Sequence, residues 1–191
     1  MLKHLMIAVD WFGPYSSVKE ARDAARPYDW PGLYMLIGKV GEEEASRAQY
    51  VGISASLSGR LTARHHKLGS EAIEARGIRD LRLWLGEVTT AEPGGKKMKI
   101  TRATLNYSEW LHARFMKLPL NDLRTKTLPD RSVTVLNRWW KTDFATLQAR
   151  RPHPDWPNLI DFPHYGLPAR TVWFGGKQRT FSNADNYAHP E

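Results

Sequence analysis

Two tyrosines in glycine-flanked triplets, Gly32-Leu33-Tyr34 and Tyr50-Val51-Gly52, are the residues of this chain best suited to chemistry. A phenol donates hydrogen bonds, and it acts as a base only where neighbouring cations draw its pKa down from about 10. Cations follow closely. Arg60, Arg64 and Lys67 have the spacing that stacks side chains on one face of a helix. A guanidinium matches the geometry of a phosphate. Further on, Glu109 shares an apolar stripe with Leu105, Ala113 and Met116, a costly position for a carboxylate unless a cation or a hydrogen-bond donor meets it. Asn121 follows Pro119 in a loop. The acidic run Glu42-Glu43-Glu44 reads as a solvated hairpin tip rather than a metal site.

These side chains need a scaffold, and the patterning supplies one. Residues 34–37 and 50–53 are apolar strands, so 34–53 reads as an antiparallel hairpin with a long polar tip. Ser56 or Ser58 caps the next helix, on which Leu57, Leu61 and Leu68 form a buried stripe. Residues 81–88 read as a third strand and 101–116 as a long helix stopped by Pro119. Before the hairpin, 4–9 suit a short strand and 11–15 an aromatic turn. Ser17-Val18-Lys19-Glu20 matches a capping box, opening a short helix that ends at Pro27. After Asn121, 133–136 suit a strand, 150–157 a proline-rich connection, and 170–181 a hairpin about Gly175-Gly176. Arg138-Trp139-Trp140-Lys141 mixes cations and aromatics as a nucleic-acid contact does, but core tryptophans are the preferred reading.

With 191 residues, 41% of them hydrophobic, the chain suits one domain with a real core. The formal charge of +8 favours a polyanionic partner. The absence of cysteine excludes disulfides, thiolate catalysis and cysteine-ligated zinc. The N-terminal apolar run is too short for a signal peptide, and no stretch approaches the ~20 apolar residues that span a bilayer. The expectation is a soluble, cytoplasmic protein with no membrane partner.

Taken in order, Gly32-Leu33-Tyr34, Tyr50-Val51-Gly52, Arg60, Glu109 and Pro119-Leu120-Asn121 resemble the motifs of the GIY-YIG endonuclease superfamily, over roughly residues 30–122. The resemblance implies an α+β fold: a small core with a central antiparallel sheet of about three strands flanked by helices. Residues 1–29 would be an N-terminal extension packed on the core, 30–122 the nuclease core, and 123–191 a C-terminal extension with a β-hairpin. It implies a DNA endonuclease that hydrolyses phosphodiester bonds with Mg²⁺ or Mn²⁺ held by Glu109. Arg60 would stabilise phosphoryl charge, and Arg64 would stand beside it as a further cation of the site. Tyr50 or Tyr34 would be the general base, its pKa lowered by those arginines and the metal, and Asn121 would support the site by hydrogen bonding. Arg64 stands where many members carry histidine, and His65 and His66 fall off the arginine face of a regular helix. The alternatives are a nucleic-acid-binding protein that keeps the scaffold without cleavage, and an unrelated basic α+β protein.

Overall fold

The computed structural model describes residues 4–62, 75–89, 99–122, 124–163 and 166–182. Its strands are β1 (Leu5–Tyr15), β2 (Gly32–Lys39), β3 (Arg47–Ser54), β4 (Arg79–Val88), β5 (Val133–Trp140), β6 (Leu159–Phe162), β7 (Ala169–Trp173) and β8 (Lys177–Phe181). They form one sheet of eight strands in the order β3-β2-β4-β1-β5-β6-β7-β8. The helices among the described residues are α1 (Val18–Ala25), α2 (Leu57–Arg60) and α3 (Arg102–Phe115).

This corrects the fold class expected from the sequence, a small core of about three strands flanked by helices. The three expected strands are present, with β2 paired antiparallel to both β3 and β4. They make up only one end of a mostly-β half-barrel. The segments expected as extensions continue the same sheet: β1 pairs antiparallel with β4 and parallel with β5, and β5 leads through β6 and β7 to β8. The expected turn at 11–15 is strand as well. Trp11, Phe12 and Tyr15 are buried aromatics that favour a pleated surface, and a register shift between Phe12 and Tyr15 absorbs Gly13 and Pro14.

The sheet curls around α3. Leu105, Leu111, Ala113 and Phe115 of that helix share a core with residues of every strand, from Met35 and Val51 at one end to Ala169 and Phe181 at the other. The two ends of the strand order therefore approach each other. Ala48 of β3 lines the same hollow as Thr171 of β7, and the ring of His153 bonds the Ser46 carbonyl at 2.6 Å. The opposite face of β2 and β3 carries a second core, in which Tyr34, Leu36 and Tyr50 meet Val18, Ala21 and Ala25 of α1 and Leu57 of α2.

Local signals explain the helices. Ser17 caps α1 by accepting from the Glu20 N–H. The Glu20 carboxylate bonds the backbone N–H and hydroxyl of Ser16 rather than closing the box on Ser17. Thr101 and Thr104 form a reciprocal capping box on α3. A buried polar hub fixes the seating of α3: Asn137 Oδ1 accepts from Trp11 Nε1 at 2.7 Å and lies 3.0 Å from His112 Nε2, while Asn137 Nδ2 donates to the Pro157 carbonyl. Three buried groups would lose their partner if Asn137 were truncated, so the hub holds α3, and with it Glu109, in one position.

Candidate functional site

Tyr34 and Tyr50 lie on one face of the β2–β3 pair. Tyr34 is opposite Gly52, and Leu36 is opposite Tyr50. Gly52 is required by this arrangement, because a Cβ there would lie 2.4 Å from both Cζ and Oη of Tyr34. The second triplet thus ends in glycine so that the first triplet's phenol can lie flat across it. Gly32 serves a similar end: its Cβ would meet the Gly86 carbonyl of the neighbouring strand at 2.3 Å.

The two phenol rings are 6.0 Å apart, and Tyr50 hydrogen-bonds to Tyr34. Arg60 Nε donates to Tyr34 Oη at 3.5 Å, the long end of a hydrogen bond. α2 brings Arg60 there. Its N-cap Ser56 accepts from Gly59 N–H, and Asp29 accepts from the hydroxyls of Ser56 and Ser58, tying the helix start to the approach of β2. Glu109 reaches the same place from α3, on the other face of the sheet. Because β3 is an edge strand, side chains from both faces converge around it. Tyr34, Tyr50, Ile53, Arg60, Glu109 and Asn121 line one cavity of about 480 Å³. Arg64 lies outside the described residues, as do Lys67, Leu68, His65 and His66.

Arg102, Asn106, Asp122 and Arg124 also line it, and the sequence alone does not single them out as site residues. Arg102 and Asn106 carry a usable signal, since they precede Glu109 at helical spacing on its own face. Arg124 carries none. It lies in an irregular segment at a φ of 66°, stacked 5.0 Å above the Trp110 ring, with its Nε 3.2 Å from Glu109 Oε2. Glu109 thus has the cation partner that its place on an apolar stripe demanded.

Asn121 has a definite task. Its Oδ1 accepts from Val51 N–H at 2.9 Å and its Nδ2 donates to the Val51 carbonyl at 2.8 Å. The side-chain amide pairs with the edge of β3 as another strand would, beside Leu120 N–H bonded to the Gln49 carbonyl. Tyr50, between them, is held by this clamp.

Burial outweighs Arg60 in setting the titration of the two phenols. Burial raises the pKa of Tyr34, outweighing the opposing effects of Arg60 and of the bond from Tyr50. Burial raises Tyr50 strongly, and Tyr34 adds to the effect. Burial thus favours the neutral, hydrogen-bond-donating form of both phenols. Glu109 is also raised, by burial, with Arg124, Arg102 and Arg60 opposing.

Among the described residues, no three His, Asp or Glu side chains converge to hold a metal. The cavity does have two carboxylates, Glu109 and Asp122. Mg²⁺ is commonly bound by one or two carboxylates together with substrate phosphates, so this donor set fits an ion that arrives with its substrate. The ion would compete with Arg124 for Glu109. Three arginines around the same cavity suit a phosphate.

Elsewhere, the Arg138 guanidinium grips Asp10 at 2.6 and 2.8 Å, and Trp139 is buried, so that cluster is structural. No described helix is long and apolar enough to cross a membrane. No family model, curated protein or solved structure matches the chain.

Proposed function

We propose that this protein is a divalent-metal-dependent DNA endonuclease whose phosphodiester-hydrolysing site is the cavity at the β3 edge. The observation that carries this reading is the convergence of Tyr34, Tyr50, Arg60 and Glu109, far apart in sequence, on one cavity of about 480 Å³. The residues of the GIY-YIG resemblance thus meet in space, within a strand, strand, helix, strand, helix run from β2 to α3.

The roles follow from the chemistry of each side chain. Arg60, with Arg102 and Arg124 beside it, binds the phosphodiester and offsets the negative charge that grows on its oxygens during displacement. Tyr34 and Tyr50, kept neutral by burial, orient water and a phosphoryl oxygen through their hydroxyls. The general-base role expected for one of them would need Arg64 and the metal ion, as well as Arg60, to offset the burial that raises both phenols. Glu109, with Asp122, would hold Mg²⁺ or Mn²⁺, which supplies Lewis acidity toward the phosphoryl oxygen and water. A metal ion held by Glu109 would free Arg124 to bind the phosphate. Asn121 acts on the site indirectly, by clamping β3.

The test is cleavage of supercoiled plasmid in Mg²⁺, with Arg60→Ala as the comparison. The expected result is nicking or linearisation by the native chain, loss of cleavage in the variant, and only modest weakening of DNA binding. Unchanged turnover in Arg60→Ala would remove that residue from the mechanism. Tight binding without cleavage by the native chain in any metal would favour the non-cleaving nucleic-acid-binding reading.

A further inference from the structure

Where the two ends of the half-barrel approach each other, the surface is a cation-lined trough that adjoins the site. A hollow of about 580 Å³ is lined by Arg114, Lys117, Lys126 and Arg179, with no carboxylate among the described residues of its wall. It shares Asn121 with the β3-edge cavity, so the two hollows are separated by one side chain whose amide is occupied by Val51. On its other side it shares Lys117 and Arg179 with a hollow of about 280 Å³, which adds Arg47, Lys177 and, as the one carboxylate among the described residues, Asp155.

Neighbouring groups hold several of these cations in place. The Arg179 guanidinium lies 5.0 Å from the centre of the Phe181 ring, and Lys177 Nζ lies 4.6 Å from that of Trp173. Arg114 donates to the Thr125 carbonyl. Lys117, Lys126, Lys177 and Arg179 are exposed, and none is paired with a carboxylate among the described residues. Lys19, Lys39, Arg138 and Arg170 are each so paired. The hydroxyl-bearing residues Thr125 and Thr180 line the same wall. Lysine, arginine and threonine are among the side chains that contact phosphate and sugar.

We propose that the sugar–phosphate backbone of bound DNA runs along this trough as it leaves the cavity at the β3 edge. The proposal rests on the phosphodiester reading of that cavity, which it extends by assigning the path of the strand. The ordinary alternative is that these cations only guard the open edges of β3 and β8 against pairing with other chains.

The test is binding of a short fluorescein-labelled DNA duplex by anisotropy in EDTA, from about 50 to 300 mM KCl. The native chain is compared with the triple variant Lys117→Ala, Lys126→Ala, Arg179→Ala. A second triple variant keeps the charge: Lys117→Arg, Lys126→Arg, Arg179→Lys. Removing one cation from a phosphate flattens the plot of log affinity against log salt by about 0.9, so the alanine variant is expected to have a slope shallower by about 2.7. The charge-keeping variant retains the native slope, which separates loss of charge from loss of fold. A native slope in the alanine variant would overturn the proposal and leave the cations as edge guards. Binding of the native chain to phosphatidylserine vesicles but not to the duplex would overturn it in favour of a membrane surface. Plasmid cleavage by a native chain whose slope ignores the trough refutes the trough alone. A shallower slope in the alanine variant of a chain that never cleaves refutes the nuclease reading alone.

Discussion

Gly52→Ala asks whether the second triplet ends in glycine because Tyr34 lies across it. The added Cβ would lie 2.4 Å from Cζ and Oη of Tyr34 and 2.7 Å from Cε2. Carbon atoms in ordinary contact are about 3.5–4.0 Å apart, so the ring must retreat by about 1.1–1.6 Å. It has little room, since Tyr34 is 0% exposed and packed among Leu36, Tyr50 and Leu57. Overpacking of this kind costs about 1–3 kcal/mol. For a chain of this size, each kcal/mol lowers Tm by about 2–4 °C, so a drop of at least about 2 °C is expected. The displacement also breaks the 3.5 Å bond between Arg60 and Tyr34. Plasmid cleavage is therefore expected to fall at least about tenfold, the rate factor for about 1.4 kcal/mol. Thermal denaturation and single-turnover cleavage read the two effects. Native Tm and native cleavage in Gly52→Ala would refute the close approach of Tyr34 and the coupling of its position to Arg60.

Other substitutions probe the remaining parts. Asn121→Ala removes both bonds to the Val51 backbone. At about 1 kcal/mol each this costs about 2 kcal/mol, or a fall in Tm of about 4–8 °C; a native Tm would deny the clamp. Asn121→Asp keeps the acceptor but turns a second oxygen toward the Val51 carbonyl, and is expected to be no better than alanine. Glu109 titrates above the ordinary carboxylate range because it is buried. Protonation removes a metal ligand, so cleavage should fall as pH drops through that raised pKa, with the acid limb above about pH 4.3, the unperturbed value. Arg124 is the foremost influence opposing that rise, so Arg124→Ala should move the limb to higher pH; a stationary limb would assign it to another group. Burial of the Glu109 carboxylate is unfavourable, so Glu109→Gln should abolish cleavage without lowering Tm at neutral pH.

Much of the local structure around the site is legible in the sequence. Ser17 marks the start of α1 by its cap, the stretch 101–116 reads as the helix that contains α3, and the apolar runs at 34–37 and 50–53 mark β2 and β3. The glycines at 175 and 176 sit at φ 111° and 108°, which makes the 170–181 hairpin readable. The architecture is not readable in the same way. β1 pairs in parallel with β5 from Leu5↔Val133 to Phe12↔Trp140, and no periodicity encodes a partner so far along the chain. β6 is four residues long and directly follows the proline-rich connection, so its alternation is too brief to register. At the site, Tyr34, Tyr50, Arg60 and Glu109 are identifiable from order and residue type. The Arg124 pairing and the backbone role of Asn121 depend on loop geometry that residue type does not reveal. The direction in which the phenols titrate depends on burial, which only the packed structure supplies.

The central claim is that the β3-edge cavity hydrolyses phosphodiesters through a metal ion held by Glu109. Its most direct test is cleavage of supercoiled plasmid by the native chain and by Glu109→Ala, each in Mg²⁺, Mn²⁺ and EDTA. The account predicts nicked or linear product with the native chain in metal, none in EDTA, and none with the variant under any condition. Equal cleavage by native chain and variant, or cleavage that persists in EDTA, would contradict it.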